Sequence, residues 1–192
     1  MKTKDYISLG LLNALFIMLL FVLLSTVGSI PLVSLFFTVF LSLASGVIYL
    51  LLAVKIRKPG VFLLSAILQS LVLLPLFGFN IYMFLFDGML VIGGLLAELA
   101  AKPSAYRSLK GVGAGFVLYM VCLTFGFWGP IYWLTKSYFT SLGEYGRLGE
   151  LFADLSGWLV LIIIASTAIA AIAGYLFGIK LLNKHFRKAG LV

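Results

Sequence analysis

Acidic side chains, histidine and cysteine are nearly missing from this 192-residue chain, which has six Asp and Glu, one His and one Cys. Each shortage removes a class of chemistry. The single cysteine, Cys122, allows no intramolecular disulfide and no thiolate cluster for a metal. The single histidine, His185, falls in a basic tail rather than in an apolar run, so it offers neither a base to a buried nucleophile nor a metal ligand. No G-x-S-x-G, P-loop, H-E-x-x-H or C-x-x-C motif occurs. The expectation is therefore no enzyme, no ATP hydrolysis by this chain, no metal and no cofactor. Charge of either sign is scarce at 10%, against 63% hydrophobic residues, which would leave a water-soluble fold with too little polar surface.

What the chain has instead is apolar sequence in stretches long enough to cross a bilayer, each needing about 20 residues. Six run from about Tyr6 to Ser25, Pro31 to Val54, Val61 to Phe79, Ile81 to Ala101, Gly111 to Leu134 and Ser156 to Ile179. Turn residues punctuate them: Gly28, Ser29 and Pro31, then Lys58, Pro59 and Gly60, then Gly78 and Asn80, then Lys102, Pro103 and Ser104. Lys2 and Lys4 before an apolar stretch imitate a signal peptide. The run from Ile7 to Leu24 is longer than a usual signal core and no A-x-A site follows, so it reads as a retained first span.

Twelve of the fourteen Lys and Arg fall in four patches: Lys2 and Lys4; Lys55, Arg57 and Lys58; Lys102, Arg107 and Lys110; and Lys180, Lys184, Arg187 and Lys188. The patches recur after every second span. Because short Lys- and Arg-rich loops stay cytoplasmic, this predicts an all-α, polytopic cell-membrane protein with six transmembrane helices and both termini cytoplasmic, forming one domain over 1–192. The net charge of +8 flanks spans rather than covering a polar domain, so it points to anionic headgroups of the lipid bilayer and not to nucleic acid.

The long outer connection, residues 135–155, carries Leu142, Tyr145, Leu148, Leu151, Phe152 and Leu155 at helical spacing and reads as an amphipathic segment, at the headgroups or as a lid. Small residues four apart allow helix backbones to approach closely in lipid, and occur at Gly10 and Ala14, at Gly93, Ala97 and Ala101, at Gly111 and Gly115, and at Ala170, Gly174 and Gly178. Most are expected to pack the bundle internally.

Polar residues inside spans are costly and each carries a functional hypothesis. Asp87, about two turns below the outer end of the fourth span, suits a cationic or hydroxylated ligand group, with a salt bridge or cap as the structural alternative. Glu98, Asn13 and Gln69 read as structural. Aromatics gather at the outer ends, including all three tryptophans, Trp128, Trp133 and Trp158. Interfacial belts form on both sides of a bilayer, so this one-sidedness favours an aromatic site for a flat, partly apolar small molecule. Gly126, Gly129 and Pro130 are expected to break the fifth span there.

Four segments together, KTKDYISLGLLNALF from Lys2, KIRKPG from Lys55, GLLAELAAKPSAYRS from Gly94 and GIKLLNKHFRKAG from Gly178, resemble the S components of energy-coupling-factor (ECF) transporters, with the Trep-Strep family as the nearest group. The resemblance implies a six-helix substrate-binding subunit that captures a micronutrient outside and works with a transmembrane coupling subunit and, through it, two ATPases. It also implies docking through a small-x-x-x-small motif on the first helix, which Gly10 and Ala14 match. The stretch Gly78 to Tyr82 departs from the Gly- and Trp-rich sequence of relatives, which bears on ligand identity.

The expected site lies among the outer ends of spans four to six, with Asn80 and Asp87 for polar contacts and Tyr82, Trp128, Tyr132, Trp133 and Trp158 for apolar walls. A flat vitamin, a nucleobase-like compound or a tetrapyrrole fits such walls; haem would need a Tyr or Met axial ligand. The alternatives are a self-sufficient channel or exporter and a structural subunit of a membrane complex. A channel needs polar rings at several depths, and almost none lie between Asp87 and the cytoplasmic end.

Overall fold

The computed structural model describes residues 2–102, 106, 108–133 and 157–186; the amphipathic segment 135–155 lies outside the described residues. Among them the chain is helical with no strand: α1 (Thr3–Thr26), a one-turn α2 (Pro31–Ser34), α3 (Phe37–Ile56), α4 (Val61–Phe77), α5 (Ile81–Ala101), α6 (Leu109–Trp133) and α7 (Gly157–Leu181), which runs on into a π-helical turn, Leu182–Phe186. Five of these helices, α1, α3, α5, α6 and α7, are long and apolar enough to cross a membrane. The sixth apolar helix, α4, has 17 residues, the lower limit for a crossing.

The second expected span is not continuous. Phe36, at φ −96° and ψ 14°, separates α2 from α3, and Pro31 opens α2, where its missing N–H is not needed. The expected break in the fifth span does not occur, since α6 is helical through Gly126, Gly129 and Pro130. Pro130 lies one turn from the described end of α6, where its ring removes a single ladder bond, and helices in lipid tolerate that loss. Gly126 serves a different purpose. A Cβ there would sit 2.8 Å from the Met89 Cβ and 3.1 Å from the Phe86 carbonyl oxygen, so its bare backbone allows α5 and α6 to touch.

The helices close a ring, α1–α3–α7–α6–α5–α4 and back to α1, with α3 also packing across it onto α6. Helix α3 is central, with 67% of its best membrane-length window buried, against 28% for α1 and α7. Most small-residue pairs lie inside the ring, as expected. A Cβ on Gly93 would meet the Cys122 Cβ at 2.7 Å, and one on Gly115 the Ala97 carbonyl oxygen at 2.8 Å. Gly174 lies so close to the Leu43 carbonyl that no side chain fits between α3 and α7. Gly10 is the exception, with nothing within 4 Å of the position a Cβ would take.

Three contacts gather the basic patches at one end of the bundle. Lys58 Nζ donates to Asp5 Oδ2 at 2.6 Å, joining the start of α1 to the α3–α4 turn. Glu98, near the end of α5, accepts from the backbone N–H groups of Gly60 (3.0 Å), Phe62 (2.6 Å) and Leu63 (3.3 Å). The Tyr175 hydroxyl, near the end of α7, donates to the Leu109 carbonyl oxygen at 2.9 Å, at the start of α6. Glu98 thus caps α4 from a neighbouring helix, because Gly60 at the N-cap (φ 95°) has no side chain to do so.

Candidate functional site

The interior of the bundle carries two kinds of polar group, those whose hydrogen bonds are closed and those left open. The closed set is a network at mid-depth. Asn13 Nδ2 on α1 donates to the Leu9 carbonyl oxygen (2.8 Å) and to Ser65 Oγ on α4 (3.0 Å). Gln69 Nε2 on α4 donates to Asn13 Oδ1 (2.7 Å) and to the Tyr49 hydroxyl on α3 (2.9 Å), and Gln69 Oε1 accepts from the Tyr119 hydroxyl on α6 (2.8 Å). The oxygen and both N–H groups of each side-chain amide are engaged, so Asn13 and Gln69 bind four helices together, the structural role their sequence context suggested. Stacked and tilted rings of Tyr49, Phe62, Phe116 and Tyr119, with centroids 5.1–6.3 Å apart, fill the space around them.

Among the described residues, Asp87 on α5 and Ser70 on α4 are left open. Asp87 is only 8% exposed, and the buried Ser70 hydroxyl is the polar group beside its carboxyl; among the described residues no group closes a hydrogen bond of good geometry to either carboxyl oxygen. Asp87 is six residues from the start of α5 and Ser70 seven from the end of α4, so both lie ~10 Å below the end opposite the basic patches. Burying a carboxyl costs free energy that one neighbouring hydroxyl, that of Ser70, offsets only in part.

Above this pair, towards the same end, lies an aromatic cluster. Phe127 on α6 is its hub, touching Phe37 (5.7 Å between ring centroids), Tyr82 (6.5 Å), Phe86 (6.4 Å) and Trp128 (5.1 Å). The Tyr82 hydroxyl donates to the Phe127 carbonyl oxygen at 2.7 Å and so clamps α5 onto α6. Trp128, 2% exposed, packs with Leu35 and Ile163, bringing α6 and α7 onto the residues that follow α2.

Of the residues singled out from sequence, Tyr82 and Trp128 thus meet in one apolar cluster and Asp87 lies below it. Asn80 is the N-cap of α5: its Oδ1 accepts from the Met83 N–H at 3.0 Å, and its amide nitrogen points to the Phe77 and Gly78 carbonyls at 3.4 Å. Trp158, at the start of α7, is 74% exposed. Tyr132 and Trp133 continue the backbone of α6, and their side chains lie outside the described residues. Sequence reasoning did not single out Phe127, Phe37 or Ser70. Ser70 offered no signal beyond being polar within an apolar run, while Phe127 was one aromatic among many and its position as hub depends on which face of α6 meets α5.

The comparison with known families bears on the whole of this architecture. The family model for Trep_Strep, described as a hypothetical bacterial integral membrane protein, matches residues 3–188. The chain belongs to the Trep_Strep family. A Trep_Strep protein is an integral membrane protein of bacteria, in keeping with the five membrane-length apolar helices described above. No curated protein and no solved structure matches the chain.

Proposed function

We propose that this Trep_Strep protein is the substrate-binding S component of an ECF-type transporter, taking up a micronutrient. In this reading it spans the cell membrane six times with both termini cytoplasmic, α4 being the short sixth span. The ligand enters at the aromatic end, and a transmembrane coupling subunit binds the chain and links it to two ATPases. The gathering of the basic patches at one end supports the orientation, since that end then faces the cytoplasm.

The observation that carries the proposal is the outward face of α1. Leu9, Leu12, Asn13, Phe16 and Leu20 face the bundle. Gly10 and Ala14 are exposed on the other side, among exposed Ile7, Leu11, Met18 and Val22. A small-x-x-x-small pair that the chain's own helices leave open, on a helix that crosses the membrane, is what close docking of another transmembrane helix needs. At mid-depth the polar groups are engaged with one another and wedged among packed rings, which counts against a self-sufficient channel, since that would need an open polar path there.

The test is co-expression with a coupling subunit and ATPases followed by pull-down. Gly10→Leu and Ala14→Leu should lower the yield of complex while leaving the stability of the isolated chain unchanged, because a larger side chain at position 10 meets nothing in the bundle. Equal yields in both variants would remove α1 from the docking role, and failure of the wild-type chain to co-purify would overturn the S-component reading.

A further inference from the structure

The buried Asp87 carboxyl and the buried hydroxyl oxygen of the half-buried Ser70 lie side by side on two adjacent helices at one depth, with hydrogen-bonding capacity that no other described residue fills. The chain demonstrably closes such capacity where polar groups serve packing, as the Asn13, Ser65, Gln69, Tyr49 and Tyr119 network shows. Among the described residues nothing comparable meets Asp87, which has only the Ser70 hydroxyl beside it. The described Lys and Arg side chains all belong to the basic end, and Asp87 lies 14 residues, or ~20 Å along α5, from that end at Ala101. A lysine side chain spans only a fraction of that distance. Among the described residues the one salt bridge is that of Lys58 with Asp5.

A buried carboxylate is tolerated as a charge when a cation meets it and hydrogen bonds fill its remaining lone pairs. Within the membrane, an ionisable side chain lacking such a partner marks a ligand or ion path. The position also matters, since the Tyr82, Phe86, Phe127 and Trp128 cluster stands between Asp87 and the nearer end of the bundle. Phe86, next to Asp87 in sequence, is part of that cluster.

We infer that Asp87 and Ser70 form the polar floor of the binding site and receive a protonated nitrogen of the ligand, an amine or amidine attached to an aromatic or apolar body that packs against the cluster above. The inference rests on the reading of a small-molecule site at the aromatic end and names the chemical class of its ligand. The carboxylate supplies the counter-charge, and the Ser70 hydroxyl accepts a further N–H. A neutral ligand of the same shape leaves the acid unmatched and binds weakly.

The test uses the purified full chain in lipid nanodiscs, without coupling subunit, and two probes of matched shape, benzylamine as its ammonium ion and benzyl alcohol. The wild-type chain should be thermally stabilised by benzylamine and should bind it at least about tenfold more tightly than benzyl alcohol, a difference of ~1.4 kcal/mol. Asp87→Asn should abolish that preference, and Ser70→Ala should reduce it. Without any probe, Asp87→Asn should be at least as stable as wild type, because the variant removes an unmatched acid.

Three results overturn the inference: no stabilisation by benzylamine at millimolar concentration, equal affinity for the two probes, or an Asp87→Asn chain that is destabilised or fails to fold, which would make the carboxyl a structural partner. Because the coupling subunit is absent from this experiment, its failure leaves the S-component reading standing. A failed pull-down likewise leaves the cation site standing.

Discussion

Removal of the Glu98 carboxylate should weaken the fold more than an ordinary substitution at a partly buried position. Three N–H groups at the start of α4, those of Gly60, Phe62 and Leu63, converge on its two oxygens at 2.6–3.3 Å. Hydrogen bonds to a charged group contribute a net ~1.5–3 kcal/mol each, and an anion at a helix N-terminus adds ~0.3–1 kcal/mol. These terms do not add in full, because Glu98 is only half-buried and water can reach some of the freed donors. The expected loss for Glu98→Ala is therefore ~2–4 kcal/mol. Glu98→Gln is the discriminating variant. Its amide oxygen can still accept from Phe62 and Leu63, but its NH2 group then faces the Gly60 N–H and the charge is gone, so about half of the loss, ~1–2 kcal/mol, is expected. Equilibrium unfolding in mixed micelles, titrated with SDS and followed by tryptophan fluorescence, measures both. An Ala variant within ~0.5 kcal/mol of wild type, the range of a substitution that touches nothing, or a Gln variant as damaged as the Ala variant, would refute the capping argument.

Other substitutions probe the interior and the outer face of the ring. Gln69→Leu leaves Asn13 Oδ1 and the Tyr119 hydroxyl without the partner they share, and should cost ~1–3 kcal/mol in the same unfolding assay. Tyr119→Phe, which frees a single acceptor, should cost less. Gly174→Ala forces a methyl group against the Leu43 carbonyl and should lower stability by ~1–3 kcal/mol, whereas Gly88→Ala, with nothing within 4 Å, should change it by less than ~0.5 kcal/mol. A thermal melt of the two glycine variants side by side checks the contrast. Together with the α1 pull-down and the benzylamine measurement, these outcomes separate packing from docking and from ligand recognition.

The apolar runs and the patches between them made most of the helices legible before any coordinates. The span expected from Ile81 to Ala101 is α5 residue for residue, and α1, α4, α6 and α7 begin and end within a few positions of expectation. The reason is physical: a chain in lipid must close its backbone hydrogen bonds within each segment, so length and hydropathy nearly determine the element. Two readings went wrong, one where local chemistry was allowed to outvote that rule and one where the rule concealed a local break. Pro130 with its glycines looked like a helix break, yet α6 runs through them, because Gly126 is there for contact with Phe86 and Met89. The second span looked continuous, but Phe36 divides it.

Partnerships between helices were harder to read. Glu98 was recognisable as structural, but nothing in the spacing of Glu98 and Gly60 announced that a carboxylate on α5 caps α4 across 38 positions of sequence. Asn80, expected as a polar ligand contact, differs in that its role is local: it caps its own helix, α5.

The mid-depth network connects the face proposed for docking with the proposed ligand floor. Asn13 must face inward to reach Ser65 and Gln69, and that requirement sets the rotation of α1 about its own axis. At ~100° per residue, Gly10 and Ala14 then come ~60° and ~100° around from Asn13, past the edge of the arc that Leu9, Leu12, Phe16 and Leu20 bury. One polar side chain in an otherwise apolar helix thereby decides which face the rest of the membrane meets. Gln69, which holds Asn13 in place, is also the immediate neighbour of Ser70 on α4, so the groups that orient the outward face and the groups left open beside Asp87 share a single turn of helix. A ligand at the proposed Asp87 and Ser70 floor would act on the same turn that fixes α1, a short physical route from that floor to the face proposed for docking.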